Sequence, residues 1–133
     1  MGTVGYLLDT HTFLWAVQEE GSKLSEIVTN ILIDSDEPVY VSAASAYEIM
    51  NKYRIGKLAG YAHVAENYLH ILKNFGSDEL PVSMRHAHFA GEFGWAHRDP
   101  FDRILAAQAH TENLTLITND PVFQTLPWIT VLW

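Results

Sequence analysis

Residues Leu114-Thr115-Leu116-Ile117-Thr118-Asn119-Asp120 read as a short apolar strand that stops on an acid. The run before it, Pro100 to Asn113, has helical spacing, with Asp99 as N-cap and Pro100 in the first turn. A helix that hands the chain to a short buried strand is the repeating unit of an α/β fold. The same sign stands at the other end of the chain, where Gly5-Tyr6-Leu7-Leu8 ends on Asp9. Working inward, Thr10 to Gln18 predict a helix, and Ser25 caps a second one carrying Ile27, Val28, Ile31 and Leu32. Val39 to Ser42 predict a strand and Ala44 to Ile55 a helix with Ala46, Ile49, Met50 and Tyr53 as its apolar stripe, stopped by Gly56. Ala62 to Phe75 predict one further helix closed by Gly76, and Leu80 to Val82 a strand whose Pro81 suits a sheet edge. Ser83 caps a helix running to about Phe93, Pro121 to Thr125 make a helical turn, and Ile129 to Leu132 a last strand. The expected fold is α/β: a mostly parallel central sheet of four or five short strands with helices on both faces, a three-layer sandwich.

With 133 residues and 48% hydrophobic content, the chain is expected to be one domain, 1–133, with a real core. No apolar run approaches a membrane span, and the start lacks the pattern of a signal peptide. The absence of cysteine excludes disulfides and thiolate metal sites and fits a reducing, cytoplasmic location. Sixteen acidic against eight basic residues give a formal charge of −8. That excludes a protein whose whole surface grips a phosphate backbone, but it leaves room for a pocket of acids beside local groups of bases. Lys52, Arg54 and Lys57 form one such group, and Arg98 and Arg103 another.

The acids stand at the joints. Asp9 and Asp120 follow strands, Glu48 lies in the helix after Val39-Tyr40-Val41, and Asp99 and Asp102 open a helix. In an alternating fold the carboxyl ends of parallel strands gather on one edge of the sheet. Carboxylates meeting there would repel one another, and a hard divalent cation with oxygen ligands is the simplest remedy. Each acid also has a plainer reading. Asp9, Asp99 and Asp120 are ordinary helix or turn caps, and Asp102 complements a helix dipole. Glu48 falls almost opposite the apolar stripe, where it would pair with Lys52 in solvent.

Other chemistries lack their signatures. The seven histidines have no zinc-like spacing, and His97, near the acids, receives no role. There is no phosphate-binding glycine loop and no nucleophile elbow. Phe13, Trp15, Trp95, Phe101 and Trp128 read as core or interface before base-stacking platforms.

Taken in order, Leu-Leu-Asp-Thr-His at 7–11, Ser-Ala-Ala-Ser-x-x-Glu-Ile at 42–49, His-Arg-Asp-Pro-Phe-Asp-Arg at 97–103 and Leu-Ile-Thr-Asn-Asp at 116–120 resemble the PIN-domain ribonucleases. The resemblance is strongest to the VapC-like toxins of type II toxin–antitoxin pairs and covers nearly the whole chain. It implies that Asp9, Glu48, Asp102 and Asp120 are the family's four core acids, with Asp99 a frequent extra acid and Thr118 the hydroxyl beside the last one. It implies an Mg²⁺- or Mn²⁺-dependent endoribonuclease, a homodimer and a cognate antitoxin. RNA with an exposed single-stranded loop or end is the expected substrate, and Lys52, Arg98, Arg103 and Thr118 are candidate phosphate contacts. Two rivals use the same residues: a metal-dependent small-molecule phosphatase and a non-catalytic interaction module. Against the first, the usual aspartyl nucleophile pattern is absent, since Thr10 and His11 follow Asp9.

Overall fold

The computed structural model of the chain describes residues 3–18 and 23–133. The elements run β1 (Tyr6–Leu8), α1 (Thr10–Val17), α2 (Glu26–Asp34), β2 (Val39–Ser42), α3 (Ala43–Arg54), α4 (Ala62–Glu66), α5 (Tyr68–Phe75), β3 (Asp78–Leu80), α6 (Met84–Glu92), α7 (Pro100–Thr111), β4 (Thr115–Ile117) and β5 (Thr130–Leu132). Short 3₁₀ turns occupy Ala59–Tyr61 and Pro121–Thr125. The five strands form one parallel sheet in the order β3-β2-β1-β4-β5.

Strand alternation sorts side chains to two cores. Leu8, Val41 and Ile117 pack with Phe13, Leu14, Val28, Ile49, Val64 and Tyr68 on the face covered by α1 to α5. Leu7, Leu114 and Leu116 face the other way and pack with Leu105, Ala106 and Ala109 of α7 and with Phe123 and Leu126. Because β1 and β4 are buried on both faces, they read as continuous apolar runs. The expected three-layer α/β architecture is therefore the one observed.

The strand order fixes where a site can form. From the centre the chain builds outward through β2 to β3, then crosses back to β4 and β5. Connections thus leave β1 and β4 in opposite directions, and a crevice opens beyond the carboxyl ends of those two neighbours. At the amino end of β1 the packing is tight, since a Cβ on Gly5 would lie 2.9 Å from the Pro38 carbonyl oxygen.

Three details differ from the sequence expectation. The single helix over 62–75 is broken at Asn67 (φ −125°, ψ 26°), whose side-chain amide and backbone N–H both donate to the His63 carbonyl and close α4 there. β3 lies two residues earlier than expected, with Pro81 just past its end, although it does occupy a sheet edge. Met50, placed in the apolar stripe of α3, is exposed, whereas Glu48, placed opposite that stripe, is buried at 4% exposure. Two sides of α3 are covered: Ile49 meets the core, and Ser45 and Glu48 meet α1.

Candidate active site

Beyond the carboxyl ends of β1 and β4 lies a cleft of ≈ 500 Å³, lined by Asp9, Glu48, Asp99, Asp102 and Asp120 together with Thr10, His11, Trp15, Lys52, His97, Asn119 and Pro121. All five acids singled out from the sequence meet in it.

Each acid is held by hydrogen bonds or a close polar neighbour, some local and some distant in sequence. Asp9 caps α1, with Oδ1 accepting from the Thr12 amide at 2.8 Å, while Oδ2 accepts from the Thr118 hydroxyl. Glu48 Oε1 accepts from Thr10 Oγ1 at 2.6 Å and Oε2 from Lys52 Nζ at 2.5 Å. Asp99 caps α7 by accepting from the amides of Phe101 and Asp102 at 2.9 and 3.1 Å. Asp102 Oδ2 lies 2.7 Å from His97 Nε2. Asp120 caps the following 3₁₀ turn through the Val122 amide, and its own amide donates to Thr118 Oγ1 at 3.0 Å. Capping and site duty are compatible: the caps of Asp99 and Asp120 use Oδ1 alone, and each Asp9 oxygen, although engaged, keeps a further lone pair.

Proximity and burial raise the cost of these charges. Burial pushes the Asp9 carboxyl above its usual range, against the opposing hydrogen bonds from Thr118 and Thr12 and the charge of His11. Asp102 is pushed up to about 6, first by burial and further by the charges of Asp99 and Glu48, while its bond to His97 works the other way. Ligand atoms of His97, Asp99 and Asp102 all lie within 4.8 Å of one another, which makes them, among the described residues, the tight group that could hold a metal ion. Asp9, Glu48 and Asp120 surround the same cleft outside that group. The five carboxylates, with no thiolate among them, suit a hard cation such as Mg²⁺ or Mn²⁺.

The candidate phosphate contacts divide. Lys52 lines the cleft, where it pairs with Glu48. Arg98 is exposed and is not one of the residues lining the cleft. Arg103 is not among the residues lining the cleft. Its guanidinium donates to the carbonyls of Ala90 (2.8 Å), Trp95 and His97 (both 3.1 Å) and Phe93, clamping the segment that carries His97. Thr118, at 1% exposure, donates its hydroxyl to Asp9 and is not among the residues lining the cleft.

Of the cleft's other lining residues, sequence reasoning assigned His97 no role, read Trp15 as core or interface, and did not single out Thr10, His11 or Asn119. For His97 a signal existed in its closeness to Asp99 and Asp102. For Thr10 none did, because its partner lies 38 residues away.

Residues 6–129 match the PIN domain family. No curated protein matches the chain. Among solved structures, it resembles VapBC2 from Rickettsia felis bound to a DNA fragment from their promoter (20% identity, 96% of each chain covered, TM-score 0.69). It also resembles DNA-bound VapBC from Salmonella typhimurium (18% identity, 97% of each chain, TM-score 0.66). A third resemblance is to FitAcB from Neisseria gonorrhoeae (22% identity, 96% of each chain, TM-score 0.64). At these identities the likeness is one of fold.

Proposed function

Since the chain belongs to the PIN-domain family, we propose that it is a divalent-metal-dependent endoribonuclease, the toxin of a toxin–antitoxin pair. The observation that carries this reading is the meeting of five carboxylates in one cleft at the switch point of the sheet. An array of that kind is costly in a protein without a counter-ion.

Asp9, Glu48, Asp102 and Asp120 are the residues to hold the ion or ions, with Asp99 in support. Bound there, Mg²⁺ or Mn²⁺ supplies charge neutralisation at the phosphate and leaving oxygen and acidifies a water for attack near neutral pH. The chain itself supplies placement. Thr118 and Thr12 fix Asp9, Thr10 fixes Glu48, and His97, held in place by the Arg103 clamp, fixes Asp102. Lys52 pairs with Glu48 and lines the cleft, which makes it the candidate to meet a substrate phosphate. No side chain needs to act as a covalent nucleophile.

RNA is the proposed substrate, and a cognate antitoxin and a second copy of the chain are the proposed partners. The fold shared with the VapBC and FitAcB proteins supports the antitoxin. No described helix is long and apolar enough to cross a membrane. The deciding experiment maps cleavage ends on total RNA treated with wild-type protein and with Asp9→Asn. New ends made by wild type and missing with the variant are expected. Identical maps would end the proposal.

A further inference from the structure

Trp15 is misplaced for a core residue. Its helix neighbours Phe13 and Leu14 are buried at 0% and 1% exposure, but Trp15 is only half-buried and lines the acidic cleft. His11, one turn earlier on α1, lines the same wall, its ring 6.0 Å from that of Trp15 and tilted by 50°. The indole is braced edge-on by Trp133, centroids 5.8 Å apart at 70°, and Lys23 Nζ stands 5.6 Å from its centroid. A rigid aromatic surface in an acid-lined cavity, with a cation beside it, has the chemistry of a nucleotide site.

We propose that Trp15 and His11 form a base-stacking wall, and that it takes an unpaired nucleotide of the RNA. The inference rests on the ribonuclease reading and narrows its substrate. The need for such a wall follows from charge. A chain of net charge −8, whose cleft is ringed by carboxylates, draws little affinity from the phosphate backbone. Base faces carry no charge, and stacking offers affinity that acids do not oppose. Bases inside a duplex are already stacked on one another, so the wall selects single strands, loops and ends. Because every base has a flat face, the wall contributes strandedness preference and little sequence preference.

The test is binding of a short fluorescein-labelled single-stranded RNA, followed by anisotropy with Mn²⁺ present, in an Asp9→Asn background that keeps the α1 cap. Trp15→Leu preserves apolar packing and removes the aromatic face, while Trp15→Phe keeps a smaller face. Trp15→Leu is expected to weaken single-strand binding by about five- to a hundredfold. Trp15→Phe is expected to retain most of it, and a duplex of the same sequence to bind weakly and to respond little to either change. Thermal melts of both variants verify the fold. Equal binding by the Leu and Phe variants, or an equal loss for duplex and single strand, would overturn the wall. Failure of the ribonuclease reading is seen separately, as total RNA left uncut by wild type.

Discussion

Thr118 Oγ1 donates to Asp9 and accepts from the Asp120 amide, so one buried hydroxyl joins the ends of β1 and β4. Thr118→Val removes both bonds at nearly constant volume. Loss of an orienting partner of this kind typically lowers metal affinity about 10- to 100-fold. A calorimetric Mn²⁺ titration should show that loss for Thr118→Val and near-normal binding for Thr118→Ser. Wild-type affinity in the Val variant would remove Thr118 from the site. Asp102 makes a pH prediction. Its folded pKa of about 6 exceeds its reference value of 3.8, so the folded state binds more protons between those limits. The metal-free protein therefore gains stability at this group as pH falls from about 6 towards 4, and loses it as pH rises through 6. The slope in that window is at most about 1.4 kcal/mol per pH step of one, and solvent screening of a part-exposed carboxyl lowers it. Mn²⁺ affinity has the opposite slope, weakening below about pH 6 because the ion competes with that proton. Melting curves of metal-free wild type and Asp102→Asn across this range should converge at the acid end and separate near neutrality, with the Asn variant the more stable. Parallel curves would refute the raised pKa. Asp9 and Asp120 were legible from sequence because each ends an apolar run. Glu48 was legible only through family resemblance, since its helical position alone places it in solvent. Its burial comes from Thr10 on another helix, a contact that no local pattern encodes.

Among the elements, α7 carries the sharpest test. Asp99 closes its amino end through two backbone amides and also lines the cleft. Asn caps helices about as well as Asp but carries no charge. Asp99→Asn should therefore melt close to wild type while binding Mn²⁺ more weakly, whereas Asp99→Ala should also lose about 1 kcal/mol of stability. If Asp99→Asn leaves Mn²⁺ affinity unchanged, Asp99 is a cap alone. The helices with firm start and stop residues were read well from sequence. Ser25, Ser83 and Asp99 cap where expected, and Gly56 and Gly76 follow their helices in the left-handed conformation, with φ of 84° and 82°. The break at Asn67 was not legible because the apolar spacing continues across it. Only the turn from Val64 to Tyr68, both buried in the same core, shows how the two pieces share one face.

At the scale of the molecule, like charges collected by the fold should make it sensitive to divalent ions. A ligand present at 100 times its dissociation constant stabilises by about 2.7 kcal/mol, which for a domain of this size is several degrees of melting temperature. Mn²⁺ should raise the melting temperature by that order, and chelation should reverse the rise and abolish RNA cleavage. No shift in wild type, or an equal shift in Asp9→Asn/Asp120→Asn, would show that the acids hold no ion. The α/β class and the convergence of strand ends were readable from alternation of elements. The strand order was not, because hydropathy says that a strand is buried but not which neighbours bury it.

That order has a consequence in time. Thr118 meets Asp9 across a separation of 109 residues, just past β4, and Asp120 joins them through its amide bond to Thr118. A nascent polypeptide on the ribosome therefore holds its early acids in place without their late partners. Premature termination before Thr118 yields fragments that cannot complete the cleft, so any hydrolysis there waits until β4 and Thr118 have left the ribosome.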